Sequence, residues 1–329
     1  MIRRTRTLFE LLREISLDDI RDEASRHFSL VVTGPSPQTR ASIVNALSGG
    51  VSGPDSPVID YPSQEGWAPL FERASLVVYA LDAGRMSMED VTLLRRIAEI
   101  GLPVLVTSVG APALVGDNRS LDEFDRLLSN THYRLRVLRL PREGFSESLL
   151  RAVLREIEAF DLALARRLPP FRPYVSQQLI SETSRANAEF ALMSNIPQLV
   201  PVVGNLVTAG ADLLVLTKNQ MLLVFKIAAA HGAEIHSSRK VLTELVPVVG
   251  ASFFWRSLAR ELAALLPAGI GAIPKTTIAY TGTYAAGRSA QYYYSTGRRP
   301  NGDLINSFYK EALERVRDVL TRRGDGQPR

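Results

Sequence analysis

The residues best placed to do chemistry lie in the stretch Gly34-Pro-Ser-Pro-Gln-Thr39-Arg40-Ala41-Ser42. It follows a short apolar run, Phe28–Gly34, and leads into a helical pattern over Ser42–Leu47. A strand, a Gly, four residues and a helix make the layout of a phosphate-binding loop. In such a loop, backbone N–H groups wrap the phosphates, a Lys reaches the β/γ oxygens and a hydroxyl holds Mg²⁺. Here Thr39 stands where a second Gly lets the backbone approach phosphate, and Arg40 where the Lys belongs. Arg keeps the charge in a bulkier, planar fork. Ala41 takes the place of the Mg²⁺ hydroxyl, and Ser42 comes one residue late, about 100° further round a helix. With Asp60, which ends a second apolar run, the candidate cofactor-binding positions are Gly34, Thr39, Arg40, Ser42 and Asp60.

The elements that must position them alternate. Strands are expected at 28–34, 57–60, 75–82, 102–107 and, half-exposed, at 133–140. Helical patterns fall between them at 42–47, 89–100 and 121–128, and a helix over 145–167 closes the set. Continuous apolar strands alternating with helices imply a parallel sheet covered on both faces. An amphipathic helix over 7–26 precedes it, with Leu8, Leu11, Leu12 and Ile15 on one stripe. Pro169, Pro170 and Pro173 interrupt the pattern, and beyond them the chain reads as helices separated by Pro/Gly turns. The expected organisation is an N-terminal amphipathic helix (1–27), an α/β domain (28–168), a Pro-rich linker (169–175) and an apolar, basic helical domain (176–329).

The phosphate-loop region and its helix, with Ile43, Asn45 and Leu47, resemble the Era-like GTPases, whose loop is followed by Leu-x-Asn-x-Leu. The resemblance implies a P-loop-NTPase-like three-layer α/β sandwich with a mostly parallel sheet, and GTP or GDP with Mg²⁺ as ligands. The remaining family motifs are eroded. Asp60-Tyr61-Pro62-Ser63 resembles Asp-Thr-Pro-Gly, with Ser63 replacing the Gly whose N–H meets the γ-phosphate. Thr107 and Gly110 stand where Asn and Asp would recognise guanine. Only 13 positions separate Leu47 from Asp60, where an Era-like GTPase fits a switch loop and an extra strand. The expectation is therefore a domain with no catalytic residues, no hydrolysis and no cofactor. The alternative is a divergent GTPase or GTP-binding protein using Arg40 in place of Lys.

Composition narrows the rest. The absence of Cys removes disulfides, thiol catalysis and thiolate metal sites. His231 and His236 are five apart, which points their rings to different sides of a helix, and no metal site is expected. A second near-match to the phosphate loop, Gly269–Thr277, puts Pro274 at a required Gly and follows a helical pattern. No uncharged segment follows the basic start, so a secretory signal is not expected and a cytoplasmic location is. Residues 1–168 carry 21 basic and 23 acidic side chains, and residues 169–329 carry 18 and 11, so the basic excess belongs to the second half.

That half repeats Leu-Val-Pro-Val-Val-Gly at 199–204 and 245–250. Its uncharged run Phe190–Ala211 is long enough to span a bilayer but contains Asn, Gln, Gly and two Pro. Asn195-Ile-Pro197, Pro201, Gly204, Ala211-Asp212, Gln220, Lys226, Gly232 and the later Gly287-Arg288 resemble the YcjF-like helical domain, a domain of unknown function that often follows an Era-like GTPase domain. Some members of that family are membrane proteins. Tyr292, Tyr293 and Tyr294, with Arg288, Arg298, Arg299 and Lys275, form an aromatic–basic set of the kind found at membrane interfaces. The expected function is a non-catalytic pseudo-GTPase-type scaffold or membrane-associated interaction protein, working at the inner face of the cell membrane. A soluble homo-oligomer assembled through the helical domain is the other reading. No recognised motif accompanies the scattered Arg, so nucleic acid is not an expected partner.

Overall fold

In the computed structural model the described residues are 17–51, 53–63, 69–111, 113–193, 209–234 and 275–324. The stripe at Leu8–Ile15, both copies of the repeat and the second near-match up to Pro274 lie outside them. The chain divides into two compact units: Glu23–Tyr174 form the first, and the described residues before Glu23 and after Tyr174 belong to the second.

The first unit is built on a five-stranded parallel sheet. After helix α1 (Asp18–Ser25), whose first residues fall in the second unit, the strands are β1 (Leu30–Gly34), β2 (Val58–Pro62), β3 (Leu76–Leu81), β5 (Val104–Val109) and β7 (Leu135–Leu140), in the order β2-β1-β3-β5-β7. The connecting helices are α2 (Pro37–Ser48), α3 (Met88–Ala98), α4 (Asn118–Ser129) and α5 (Phe145–Glu156). A second, two-residue pairing joins β4 (Arg85–Met86) to β6 (Val115–Gly116), which no run of apolar residues announces. All six residues of β3 are buried, as an interior strand covered on both faces requires. By the two-residue period, Val31, Val77, Tyr79, Leu81 and Val106 share one face, where they pack with Val91, Leu94 and Ile97 of α3 and Phe124 and Leu127 of α4. Leu30, Val32, Leu76, Val78 and Ala80 take the other face. This is the α/β arrangement expected from the alternation of elements.

Two helices differ from their sequence patterns. Helix α2 starts at Pro37, five residues before Ser42, because Ser36 caps it by accepting the Thr39 N–H and Pro37 fits the first helical position. The single helix expected over 145–167 is broken at Ile157, whose φ of −133° leaves the helical range. A 3₁₀ turn (Glu158–Phe160) and α6 (Asp161–Arg167) follow. Pro169–Phe171 then form another 3₁₀ turn, with Phe171 buried.

The second unit is helical: α7 (Arg172–Met193, of which the first residues fall in the first unit), α8 (Ala209–Ala230), α9 (Lys275–Thr296) and α10 (Gly302–Gly324). Helix α9 packs on both α8 and α10. A Cβ added at Gly287 would lie 2.6 Å from Ile180 of α7 and 3.0 Å from Leu223 of α8, so the bare glycine sets how closely these helices approach. Deeper in, Thr283 accepts the amide N–H groups of Asn187 (2.8 Å) and Gln220 (3.2 Å) and donates to the Ala279 carbonyl (2.8 Å). Asn219 donates to Asn187 at 2.7 Å. The Thr283 hydroxyl thus uses its one donor and both its acceptor positions. No described helix is long and apolar enough to cross a membrane.

Candidate functional site

In an open parallel sheet, ligands bind beyond the carboxyl ends of the strands, where the strand order reverses. Here that point lies between β1 and β3, and three of the five candidate residues meet beside it. Arg40, on the first turns of α2, is only 4% exposed. Its guanidinium turns back under the loop: Nη1 donates to the Gly34 carbonyl at 2.6 Å and Nε donates to Asp60 Oδ1 at 2.7 Å. Asp60 is partnered in register with Val32 on the neighbouring edge strand β2, which brings its carboxylate to α2. The cation in the phosphate-lysine position is therefore spent on the protein's own carbonyl and carboxylate.

The loop is also short of donors. Pro35 and Pro37 have no N–H. The Thr39 N–H donates to Ser36 Oγ and the Arg40 N–H to the Ser36 carbonyl. Gly34 is needed for a different reason than phosphate approach: its φ is +143°, and a Cβ there would lie 2.1 Å from the Ala80 carbonyl oxygen. Ser42 does not join the group. It is exposed, and its hydroxyl donates to the Gln38 carbonyl at 2.9 Å on the helix surface.

The neighbouring positions are occupied in the same way. Ser63 turns its side chain to the Tyr79 hydroxyl, which in turn donates to Asp90 Oδ1 at 2.5 Å. Burial, and after it the Asp90 carboxylate, pushes the Tyr79 hydroxyl far above its ordinary range. Asp90 also accepts from the Ser87 N–H and hydroxyl, so it is committed to capping α3. At the end of β5, Thr107 donates to the Tyr79 carbonyl at 3.1 Å. Gly110 is covered by Arg142 from the loop after β7: a Cβ on Gly110 would lie 2.6 Å from Arg142 Cγ. Arg142 belongs to no motif in the sequence; its only signal is that it follows the half-exposed strand expected at 133–140.

The aromatic–basic set of the second half is dispersed. Tyr292 packs with Leu304, Ile305 and Phe308 in the seam between α9 and α10. Arg288 lies 5.2 Å over the Phe308 ring and pairs with Glu311 of α10 at 3.5 Å. Tyr294 faces the His231 ring, and Tyr293 packs edge-on to Tyr294. Arg298 and Arg299 are exposed and, with Tyr292, Asn301 and Asp303, line an open depression of about 520 Å³ at the α9–α10 turn. Lys275 opens α9, away from this group in sequence. Glu311 is the centre of the seam. Burial pushes its carboxyl up, but a hydrogen bond from Tyr284 and the Arg288 and Arg315 cations outweigh it and hold the group below its ordinary value.

In comparisons with known proteins, no family model matches the chain and no curated protein is similar to it. The likenesses to Era-like GTPases and to the YcjF-like domain rest on the residues quoted for them.

Proposed function

We propose that the chain is a non-catalytic, pseudo-GTPase-type scaffold: a GTPase-like α/β domain that holds its own Arg40 in the phosphate position, joined to a helical interaction domain. The observation that carries this reading is the buried Arg40 guanidinium bound to both Gly34 and Asp60. Phosphate entry would have to break both bonds and leave Asp60 beside the incoming negative charge. The two loop prolines and the absent Mg²⁺ hydroxyl point the same way. Thermal melting with GTP, GDP or ATP and Mg²⁺ at about a hundredfold the Kd of an ordinary binder would stabilise a binding protein by about 2.7 kcal/mol. The scaffold reading expects no shift with any of the three, and a rise in melting temperature with GTP or GDP overturns it.

Contact with the inner membrane surface is the second part of the reading, favoured by the exposed Arg298 and Arg299 at the α9–α10 turn. Vesicles rich in phosphatidylserine should sediment the wild-type protein at low salt and retain much less of the Arg298→Glu/Arg299→Glu variant. Equal retention of both proteins contradicts this contact.

A further inference from the structure

We propose that the outer edge of β7 is a docking edge for an extended, acidic segment of another protein. β7 ends the sheet order and pairs, among the described residues, only with β5. The Arg134 and Leu140 carbonyls accept from Val104 and Gly110, so they face β5. Backbone groups alternate along a strand, so Leu135, Val137 and Arg139 turn their N–H and C=O groups outward. An added strand would use those groups, as in β-strand addition generally.

The charge on this edge selects the partner. From Asn130 to Arg142 the chain carries four Arg and no acid. Arg134, Arg136, Arg139 and Arg142 are all exposed. Arg136 and Arg139 are three apart and lie on opposite faces of the strand, so cations flank the edge on both sides. Arg134 and Arg136 share Glu156, at 3.2 Å to its carbonyl and 2.9 Å to its carboxylate. Arg139 and Arg142 make no ion pair among the described residues. A second copy paired here would set Arg against Arg, which opposes self-association. The opposite edge strand, β2, is preceded by Pro57 and ends in Pro62, so it lacks donors at both ends.

The test uses the full-length protein and a fluorescein-labelled decapeptide of alternating Val and Glu, read by polarisation and by amide hydrogen exchange. Saturable binding is expected, with slowed exchange at the Val137 and Arg139 amides. Arg139→Glu/Arg142→Glu should weaken it at least about tenfold. Replacing every Val by Pro in the peptide keeps its charge, removes the N–H donors of one strand edge, breaks the extended pairing and should weaken binding similarly. If the double variant loses its cooperative melt, Arg139→Gln is read instead, with a loss of several-fold. The proposal is overturned if the decapeptide does not bind, if the Pro-containing peptide binds equally well, if the protein dimerises through this edge, or if an oligonucleotide binds more tightly through the same arginines.

Discussion

At Arg40 a residue that reads as a nucleotide ligand bonds the protein's own Gly34 carbonyl and Asp60 carboxylate. A planar fork can reach a carbonyl and a carboxylate at once, whereas an ammonium is a single point charge on a flexible stem. Arg40→Lys, the change that restores the phosphate-loop consensus at this position, should therefore lose one of the two contacts and destabilise the protein by about 1–2 kcal/mol in urea unfolding. An unchanged midpoint would show that the double contact contributes nothing. Glu311 gives a second prediction of this kind. Its folded-state pKa is depressed, so its stabilising contribution is complete above its ordinary value of 4.5 and is lost as pH falls through the lower folded value. Glu311→Gln should flatten that acid-side decline in melting temperature and leave little pH dependence from this group above pH 4.5. An equally steep decline in the variant would assign the acid sensitivity elsewhere.

Single elements account for most of what the sequence discloses and for what it hides. The helical unit depends on a polar layer in an apolar setting, and removing one member leaves the others unsatisfied. Thr283→Val conserves shape but orphans the Asn187 and Gln220 N–H groups, and should cost about 2–3 kcal/mol, measured by denaturant unfolding. Loss below about 0.5 kcal/mol would mean that those amides find other partners. The interior strands of the sheet were legible because buried parallel strands read as continuous apolar runs, and Leu76–Leu81 and the first half of β5, Val104–Val106, are such runs. The start of α2 was not, because Pro-Ser-Pro serves equally as a loop and as an N-cap followed by a first-turn Pro. The break at Ile157 has no Gly or Pro to announce it. The Arg40–Asp60 bond joins positions 20 residues apart, a pairing that depends on β2 lying beside β1 rather than on local sequence. The aromatic–basic residues divide between different surroundings for the opposite reason. Adjacency along one helix spreads Tyr292, Tyr293 and Tyr294 around it, so Tyr292 enters the α10 seam while Tyr294 meets His231.

On the scale of the whole molecule, residues 1–168 are nearly balanced in charge and the basic excess lies in 169–329. At the carboxyl ends of the sheet strands the α/β unit packs its own side chains together: Arg40 on Gly34 and Asp60, Ser63 on Tyr79, and Arg142 over Gly110. The proposed scaffold role asks for no segment ordered by a γ-phosphate, as a switch would. Under the proposed function, the phosphate position is filled from within by Arg40. Isothermal titration calorimetry of the full-length protein with GTP and GDP in the presence of Mg²⁺ tests it most directly. The wild-type protein should give no saturable heat with either nucleotide; micromolar binding that disappears in Arg40→Ala would contradict the filled position.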